Sequence, residues 1–396
     1  MAEIFVCMIM GYLAGMKTMR RIVRWSNRNL TELRKYMPFP HGVPSLSTIS
    51  RVLASVDEDM VSYAFMNWIG EITNTRGTHI AIDGKGLRAA TNKMGEAKTP
   101  YILNAIDVAT RLVIGQLAIS EKTNEMTAIP ELIEILEING STVTIDAIGA
   151  TERIMNTICD KGADFVLQVK GNCPALYAEL SSLFTGLSED KKADGEAFRE
   201  KYCDNYSEFY NSEKNRDRYE HRKCQSYSEP DGIKSFQEDR PHVACVGFIN
   251  QTRILRIKDD TGADITPGLA EFLKNGSSRQ PKKGGGNEEY DGWNRAGLLS
   301  SKVIDAKKLM EYKRNHWAIE NSLHYVLDED FGEDKSMIRR GKNTASILRK
   351  CAYNIVRLLQ MESPEGRKYI PNIIDEVSGD LKIGLGMIFS AIPSHY

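Results

Sequence analysis

The chain has 396 residues, of which 41% are hydrophobic and 27% are charged, with 52 Lys and Arg against 53 Asp and Glu. This composition is typical of a globular protein, and the length suggests two or three domains. The formal net charge of −1 excludes a uniformly basic nucleic-acid-binding protein. A sum over the whole chain can still hide local charge of either sign.

The seven cysteines are widely spaced and form no CxxC pair, which indicates reduced thiols and not a zinc site or a disulfide framework. No apolar run reaches the roughly 18–20 residues that a membrane span requires. The apolar stretch at residues 4–14 is interpreted as a buried helix. Because the chain starts inside this stretch, one interpretation is that a leading segment is missing.

Residues 1–75 have an amphipathic helical pattern that prolines interrupt. Positions 17–51 carry eight Lys and Arg against one acid, a local charge of +7. Ser45 or Ser47 could cap a helix that carries Arg51 on an exposed face. We predict an N-terminal helical domain over 1–75 that binds DNA, and a helix-turn-helix is compatible with this pattern.

Residues 76–185 have an α/β pattern. Strands are predicted at 78–83, 101–108, 112–119, 142–146 and 164–170, and helices at 127–138, 150–161 and 174–184. The predicted order is β-β-β-α-β-α-β-α, and the last helix covers 174–184. We interpret this region as the first part of an α/β domain.

Two of these strands are predicted to end on an aspartate, Asp83 and Asp146. In α/β sheets, ligands bind at the carboxyl ends of strands. Two carboxylates on neighbouring strands repel each other unless a cation lies between them, and Mg²⁺ is a common choice. Aspartate also begins turns, so a purely structural role is the alternative for each residue.

Residues 186–300 interrupt the α/β pattern. The first part, 186–240, carries 11 bases against 14 acids, residues 243–258 are strand-like, and 275–292 form a loop rich in Gly, Ser and Lys. We predict an inserted β-rich and charged region here.

Residues 301–396 resume the helical pattern, with a long helix predicted over 305–327 and another over 344–360. Positions 334–368 carry nine Lys and Arg against three acids, a local charge of +6. We interpret this region as the rest of the α/β domain followed by basic helices.

The long helix supplies a third acid, Glu320. At helical spacing Glu320 shares one face with His316, Trp317 and His324. A carboxylate beside two imidazoles and an indole is unusual for a solvated face. The alternative is a surface acid that pairs with Arg314.

Three sequence blocks resemble the signature blocks of the DDE transposases, in particular those of the H-repeat-associated insertion-sequence group. The blocks are residues 81–85 (AIDGK), 144–149 (TIDAIG) and 316–328 (HWAIENSLHYVLD). Weaker similarity extends over nearly the whole chain and is weakest in 186–300. The resemblance implies an RNase-H-like mixed-sheet catalytic domain with an inserted β-rich region and an N-terminal helical domain.

The resemblance also implies the chemistry. Asp83, Asp146 and Glu320 would be the catalytic residues and would bind Mg²⁺ or Mn²⁺, as two ions, for DNA strand cleavage by water and strand transfer by a 3′-hydroxyl. The expected partner is double-stranded DNA, at element ends and at the target, with two copies in the active complex. We expect a cytoplasmic, nucleoid-associated protein without a membrane segment.

Basic and polar residues around the three acids are predicted to contact DNA, mostly at phosphates. They are Arg51, Lys85, Arg88, Lys170, Asn172, Arg314, His316, Trp317 and Arg339. For Trp317, stacking on a displaced base competes with a place in the core, and we expect the core.

The chain departs from the broader superfamily at two positions. Related transposases carry Arg where this chain has His316, and Lys where it has Leu327. These departures leave the cleavage route open, including a hairpin intermediate. Two alternatives also stay open: an RNase-H-like nuclease without strand transfer, and an inactive DNA-binding remnant of a transposase.

Overall fold

The computed structural model describes residues 1–87, 101–119, 125–215, 218–228, 240, 242–256, 261–265, 294–338, 340–363 and 369–390. The chain divides into two compact units. The first unit comprises Met1–Ser141 and His316–Tyr396, and the second comprises Thr142–Asn315.

Helices form the N-terminal part of the first unit, as predicted. They are α1 (Ala2–Leu13), α2 (Met19–Arg28), α3 (Leu30–Leu33), α4 (Leu46–Ser55) and α5 (Glu58–Ile72). Thr18, Ser45 and Asp57 cap α2, α4 and α5, because each side-chain oxygen accepts a backbone N–H of the first turn. The cap at Ser45 confirms one of the two predicted positions.

Three strands of the first unit pair in antiparallel order. They are β1 (His79–Gly86), β2 (Tyr101–Asp107) and β3 (Val113–Ile119), followed by α6 (Glu125–Ile135). The prediction that β1 ends on Asp83 is wrong, because pairing with β2 continues to Gly86 opposite Tyr101. Asp83 therefore lies inside the strand, opposite Asn104 of β2.

The core of the first unit is built around α1 and α12 (Lys342–Glu362), which pack on each other. The C-terminal elements of this unit are a π-helical turn (Ile319–His324), α11 (Tyr325–Glu329), α12 (Lys342–Glu362), α13 (Ile370–Gly379) and α14 (Leu381–Ser390). Met8 and Leu13 of α1, Leu323 of the π turn and Tyr353 of α12 are fully buried in one apolar cluster. This packing holds the π turn against the helical part of the unit.

The second unit combines β-strands with helices. Its elements are β4 (Thr142–Ile145), α7 (Glu152–Asp160), β5 (Asp164–Val169), α8 (Pro174–Ala193), α9 (Gly195–Tyr202), β6 (Tyr206–Lys214), β7 (Arg218–Tyr227), β8 (Cys245–Leu255), β9 (Asn294–Ser300) and α10 (Ala306–His316). The strand order is β4-β5-β9-β8-β7-β6, with β4 and β5 parallel and the other pairs antiparallel. Leu309 and Met310 of α10 pack on one face of these strands, against Cys224, Ile249 and Leu298.

The mixed α/β class and the order β-β-β-α-β-α-β-α are confirmed. The helix predicted at 174–184 is longer and reaches Ala193, and the segment after it begins with a further helix, α9. The helical segment predicted over 305–327 is present, since residues 306–329 are helical apart from residue 317. It is not one continuous α-helix, because α10 ends at His316 and the π turn comes before α11. In the described part of the chain, no helix combines the length and the apolar character needed to cross a membrane.

Candidate active site

The three predicted acids occupy three kinds of position. Asp83 lies in β1 with 22% of its side chain exposed, and Asp146 follows β4 directly with 51% exposed. Glu320 is an exposed residue of the π turn. Asp83 and Glu320 belong to the first unit, where β1 contacts the π turn, and Asp146 belongs to the second unit.

Little space is free around the backbone of Gly84, the residue after Asp83. A Cβ at Gly84 would lie 2.2 Å from Cε1 of Tyr101 and 2.7 Å from Oε1 of Glu125. The pKa of Tyr101 is raised by burial first, and then by the charges of Glu125 and Asp83. A buried carboxylate, Glu125, therefore lies in the same neighbourhood as Asp83, and no feature of the sequence pattern pointed to it.

The π turn determines how the segment around Glu320 presents its side chains. A π-helical turn is wider than an α-helical one and leaves backbone groups without their usual partners. Here the Ser322 carbonyl accepts from Arg357 Nη2 at 2.9 Å and lies 2.9 Å from the Tyr353 hydroxyl. Side chains of α12 thus provide hydrogen-bond donors for the Ser322 carbonyl of the π turn.

The single helical face predicted for His316, Trp317, Glu320 and His324 does not form. His316 is buried with 3% of its surface exposed, whereas Trp317 is 39% exposed and Glu320 is also exposed. The expectation that Trp317 lies in the core is therefore wrong. An exposed indole three residues before Glu320 stays compatible with stacking on a base.

The imidazole of His324 lies near a candidate acid. Its Nδ1 is 3.6 Å from Oδ2 of Asp83, and its Nε2 is 3.2 Å from Nδ2 of Asn104. Burial, followed by the charge of Lys85, lowers the pKa of His324 to about 3. The ring is therefore neutral at pH 7, and when Asn104 donates to Nε2, the ring proton is on Nδ1 and faces Asp83.

Lys85 makes its contacts within the protein. Its side chain is 11% exposed, and its ammonium forms ion pairs with Asp328 and, at 3.3 Å, with Glu333. A phosphate contact from Lys85 would require these ion pairs to be given up. The sequence did not suggest them, because both partners are more than 240 residues away along the chain.

In the second unit, two residues that were predicted to contact DNA lie at Asp146 and at the turn that follows it. Lys170 Nζ, just after β5, lies 3.1 Å from Oδ1 of Asp146. Asn172 Nδ2 donates to the Ala147 carbonyl at 2.7 Å and so holds the turn that follows Asp146. The parallel pairing of β4 with β5 brings these two turns together.

A cluster of charged residues lies where α10 covers the strands of the second unit. Glu213 accepts from Arg222 at 2.9 Å and from Arg314 at 2.8 Å, and Arg314 keeps 41% of its side chain exposed. Lys313, which the sequence analysis did not single out, is 6% exposed. Burial, then the charges of Lys170 and Arg222, lower its pKa to about 8. The cluster has more cationic than anionic groups.

Of the other predicted DNA contacts, Arg51 is exposed on α4, as expected. Arg88 and Arg339 lie outside the described residues.

The three acids match the ligand chemistry of a hard divalent cation. All three offer carboxylate oxygens that solvent can reach, which suits Mg²⁺ or Mn²⁺. Among the residues that the structure describes, no group of three His, Cys, Asp and Glu side chains lies close enough together to hold a metal ion.

Comparison with known proteins gives the family. Residues 74–355 match the family described as Transposase DDE domain, and residues 1–69 match the family described as DDE_Tnp_1-associated. "Putative transposase YncI" of Escherichia coli O157:H7 is 30% identical over 371 residues, which cover 90% of this chain and 82% of the relative. "H repeat-associated putative transposase YhhI" of Escherichia coli strain K12 is 28% identical over 366 residues, which cover 90% and 84%. Since the family match extends over most of its length, the chain belongs to the Transposase DDE domain family.

Proposed function

We propose that this chain cleaves DNA at the ends of an insertion sequence and transfers the cleaved strand to a target, in a reaction that depends on a divalent metal. One observation carries the proposal. Each of the three signature blocks contributes a candidate carboxylate that solvent can reach, from β1, from the turn after β4 and from the π turn. No other residue type supplies the oxygen ligands that Mg²⁺ prefers as well as a carboxylate does.

In this proposal Asp83, Asp146 and Glu320 bind the metal. A metal bound here would supply polarisation of the phosphate and a lower pKa for the attacking water or hydroxyl. Two other residues of the chain act on Asp146. Lys170 neutralises part of the charge of Asp146 before metal binds, and Asn172 fixes the turn on which Asp146 lies.

In this proposal, exposed groups make the DNA contacts. Arg314 and Lys170 can each offer a cation to a phosphate, and Trp317 can offer an aromatic face to a base. We expect double-stranded DNA as the substrate and two copies of the chain in the active complex.

The test is the conservative replacement of each acid: Asp83→Asn, Asp146→Asn and Glu320→Gln. Each change keeps the shape of the side chain and removes its charge. We expect Mg²⁺-dependent cleavage of element-end DNA to fall by at least about three orders of magnitude, with DNA binding retained. The matched control is Glu71→Gln, an exposed acid on α5, which should cut normally.

A variant of the three that still cuts at the normal rate would remove that residue from the metal site. Two outcomes separate the proposal from its alternatives. Pre-cut ends that are not joined to target DNA would indicate a nuclease without strand transfer. Salt-sensitive DNA binding without any metal-dependent product would indicate an inactive remnant.

A further inference from the structure

A buried group of charged side chains lies beside β1 in the first unit. Lys85 is at its centre: the ammonium pairs with Asp328 and Glu333 and donates to the His324 carbonyl at 3.4 Å. Glu333 is 3% exposed and accepts from Ser346 Oγ at 2.7 Å. Lys85 is thus held by three acceptors from the segment that follows Glu320.

The network continues from Glu333 into α12 and β3. Lys350 is 1% exposed and donates to Ser346 Oγ at 2.8 Å and to Gln116 Oε1. Burial alone would raise the pKa of Glu333, but the charges of Lys350 and Lys85 lower it to about 2. Glu333 is therefore a permanent anion at neutral pH, and its two lysine neighbours need it as their counter-charge.

The spacing of these residues connects the network to the candidate acids. Asp83 and Lys85 are two residues apart in β1, so their side chains lie on the same face of the strand. Glu320, His324 and Asp328 follow one another at intervals of four residues along the helical segment. Lys85 contacts the second and third of these residues, and the His324 ring faces Asp83.

We propose that Lys85 is a positioning residue that fixes β1, and with it Asp83, against the helical segment that carries Glu320. In this role Lys85 acts through its ion pairs with Asp328 and Glu333 and does not contact DNA phosphate. The inference rests on the proposed function, since it assumes that Asp83 and Glu320 bind one metal centre. A fixed spacing between two ligands raises metal affinity because less order is lost when the ion binds.

The experiment compares Lys85→Met, Asp328→Asn and the double variant in the full chain. Mn²⁺ binding is followed by electron paramagnetic resonance, and DNA binding is measured in metal-free buffer at several salt concentrations. We expect each single variant to weaken Mn²⁺ binding about tenfold or more. The double variant should bind Mn²⁺ no more weakly than the single variant with the lower Mn²⁺ affinity, because both changes break the same ion pair.

DNA binding separates a positioning residue from a phosphate contact. For Lys85→Met we expect the metal-free DNA affinity to stay within about twofold, with an unchanged salt dependence. The matched control is Lys382→Met, an exposed lysine of α14 in the same unit, which should change neither quantity. A weaker metal-free DNA affinity with a salt slope reduced by about one would overturn the proposal. Unchanged Mn²⁺ binding in Lys85→Met would overturn it too.

Lys85→Met leaves Glu333 with one counter-charge fewer and could prevent folding. The variant Lys85→Met with Asp328→Asn removes one charge of each sign and keeps Glu333 as the counter-charge of Lys350, so it should fold and still bind Mn²⁺ weakly. Normal Mn²⁺ binding by this variant would contradict the positioning role. If the wild-type chain binds Mn²⁺ and DNA but yields no product, the proposed function fails while these measurements still decide the role of Lys85. If the wild-type chain binds no Mn²⁺, both proposals fail.

Discussion

The backbone at Asp83 is shaped by its neighbour Gly84. Tyr101 and Glu125 approach Gly84 so closely that any side chain there would have to displace them. The hydroxyl of Tyr101 is hydrogen-bonded to Glu125, so the ring has a defined place above the strand. The glycine after the first acid is therefore explained by local packing, independently of catalysis.

We predict that Gly84→Ala displaces the Tyr101 ring and disturbs its hydrogen bond to Glu125. Forcing a methyl group into a filled space of this kind costs roughly 1–3 kcal/mol of unfolding free energy. Urea unfolding of the purified variant measures this cost. The same change should lower the rate of metal-dependent cleavage, because the strand that carries Asp83 has to move.

Gly70→Ala is the control for this prediction. Gly70 lies within α5, and a Cβ there would meet nothing within 4 Å. Replacing an unhindered helical glycine by alanine should raise stability by roughly 0.5–1 kcal/mol. Equal stability changes in the two variants would contradict the packing interpretation of Gly84.

The sequence could identify single residues only where a local pattern marked them. Asp83, Asp146 and Glu320 stood out because each occupies a signature block at a recognisable place in the predicted elements. Lys85 was predicted to contact DNA because it follows Asp83 by two residues, and its partners within the protein were not predictable. Asp328 and Glu333 reach it through tertiary packing, and nothing in the pattern near residue 85 indicates that.

At the scale of elements, alternating and apolar strand patterns predicted β2, β3, β4 and β5 to within one or two residues. The π turn was not predictable in the same way. The apolar pattern runs from α10 into α11 without a proline or glycine that would indicate a break. The turn is supported instead by Tyr353 and Arg357, which approach the Ser322 carbonyl from α12.

We therefore predict that Tyr353→Phe destabilises the first unit and the π turn in particular. The hydroxyl lies 2.9 Å from the carbonyls of both Arg111 and Ser322 and accepts from Arg357 Nε at 3.0 Å. Removing it from these buried polar groups costs roughly 1–3 kcal/mol. Urea unfolding gives this value, and hydrogen exchange of the amides in 319–324 should become faster.

Tyr12→Phe is a matched control on α1. Tyr12 is also fully buried, but among the described residues its hydroxyl has no hydrogen-bond partner. Its ring also lies 4.7 Å from the Arg349 guanidinium, a contact that phenylalanine can keep. The change should be neutral or slightly stabilising. A loss of stability as large as that of Tyr353→Phe would show that the hydroxyl contacts at the π turn are not the cause.

At the scale of the whole molecule, the net charge of −1 conceals segments that behave differently. Positions 334–368 have a formal charge of +6, but Arg349 and Lys350 of this segment are buried in the interior of the protein. The +7 segment at 17–51 is different, because the arginines of α2 are exposed while Ile22 and Trp25 of the same helix are buried. The first basic segment is therefore the better candidate for contact with DNA.

We predict that α2 provides an electrostatic surface for DNA. Arg20 and Arg24 are exposed and one turn apart, so both can approach one phosphate backbone. Replacing both by Gln should weaken DNA binding and reduce the slope of log K against log salt by about two, since each lost phosphate contact releases about one counterion fewer. The control is Lys192→Gln with Arg199→Gln, two exposed bases in the acidic segment 186–240, where the same change in net charge should leave the slope unaltered. Equal losses in the two double variants would mean that overall charge, and not the surface of α2, governs DNA binding.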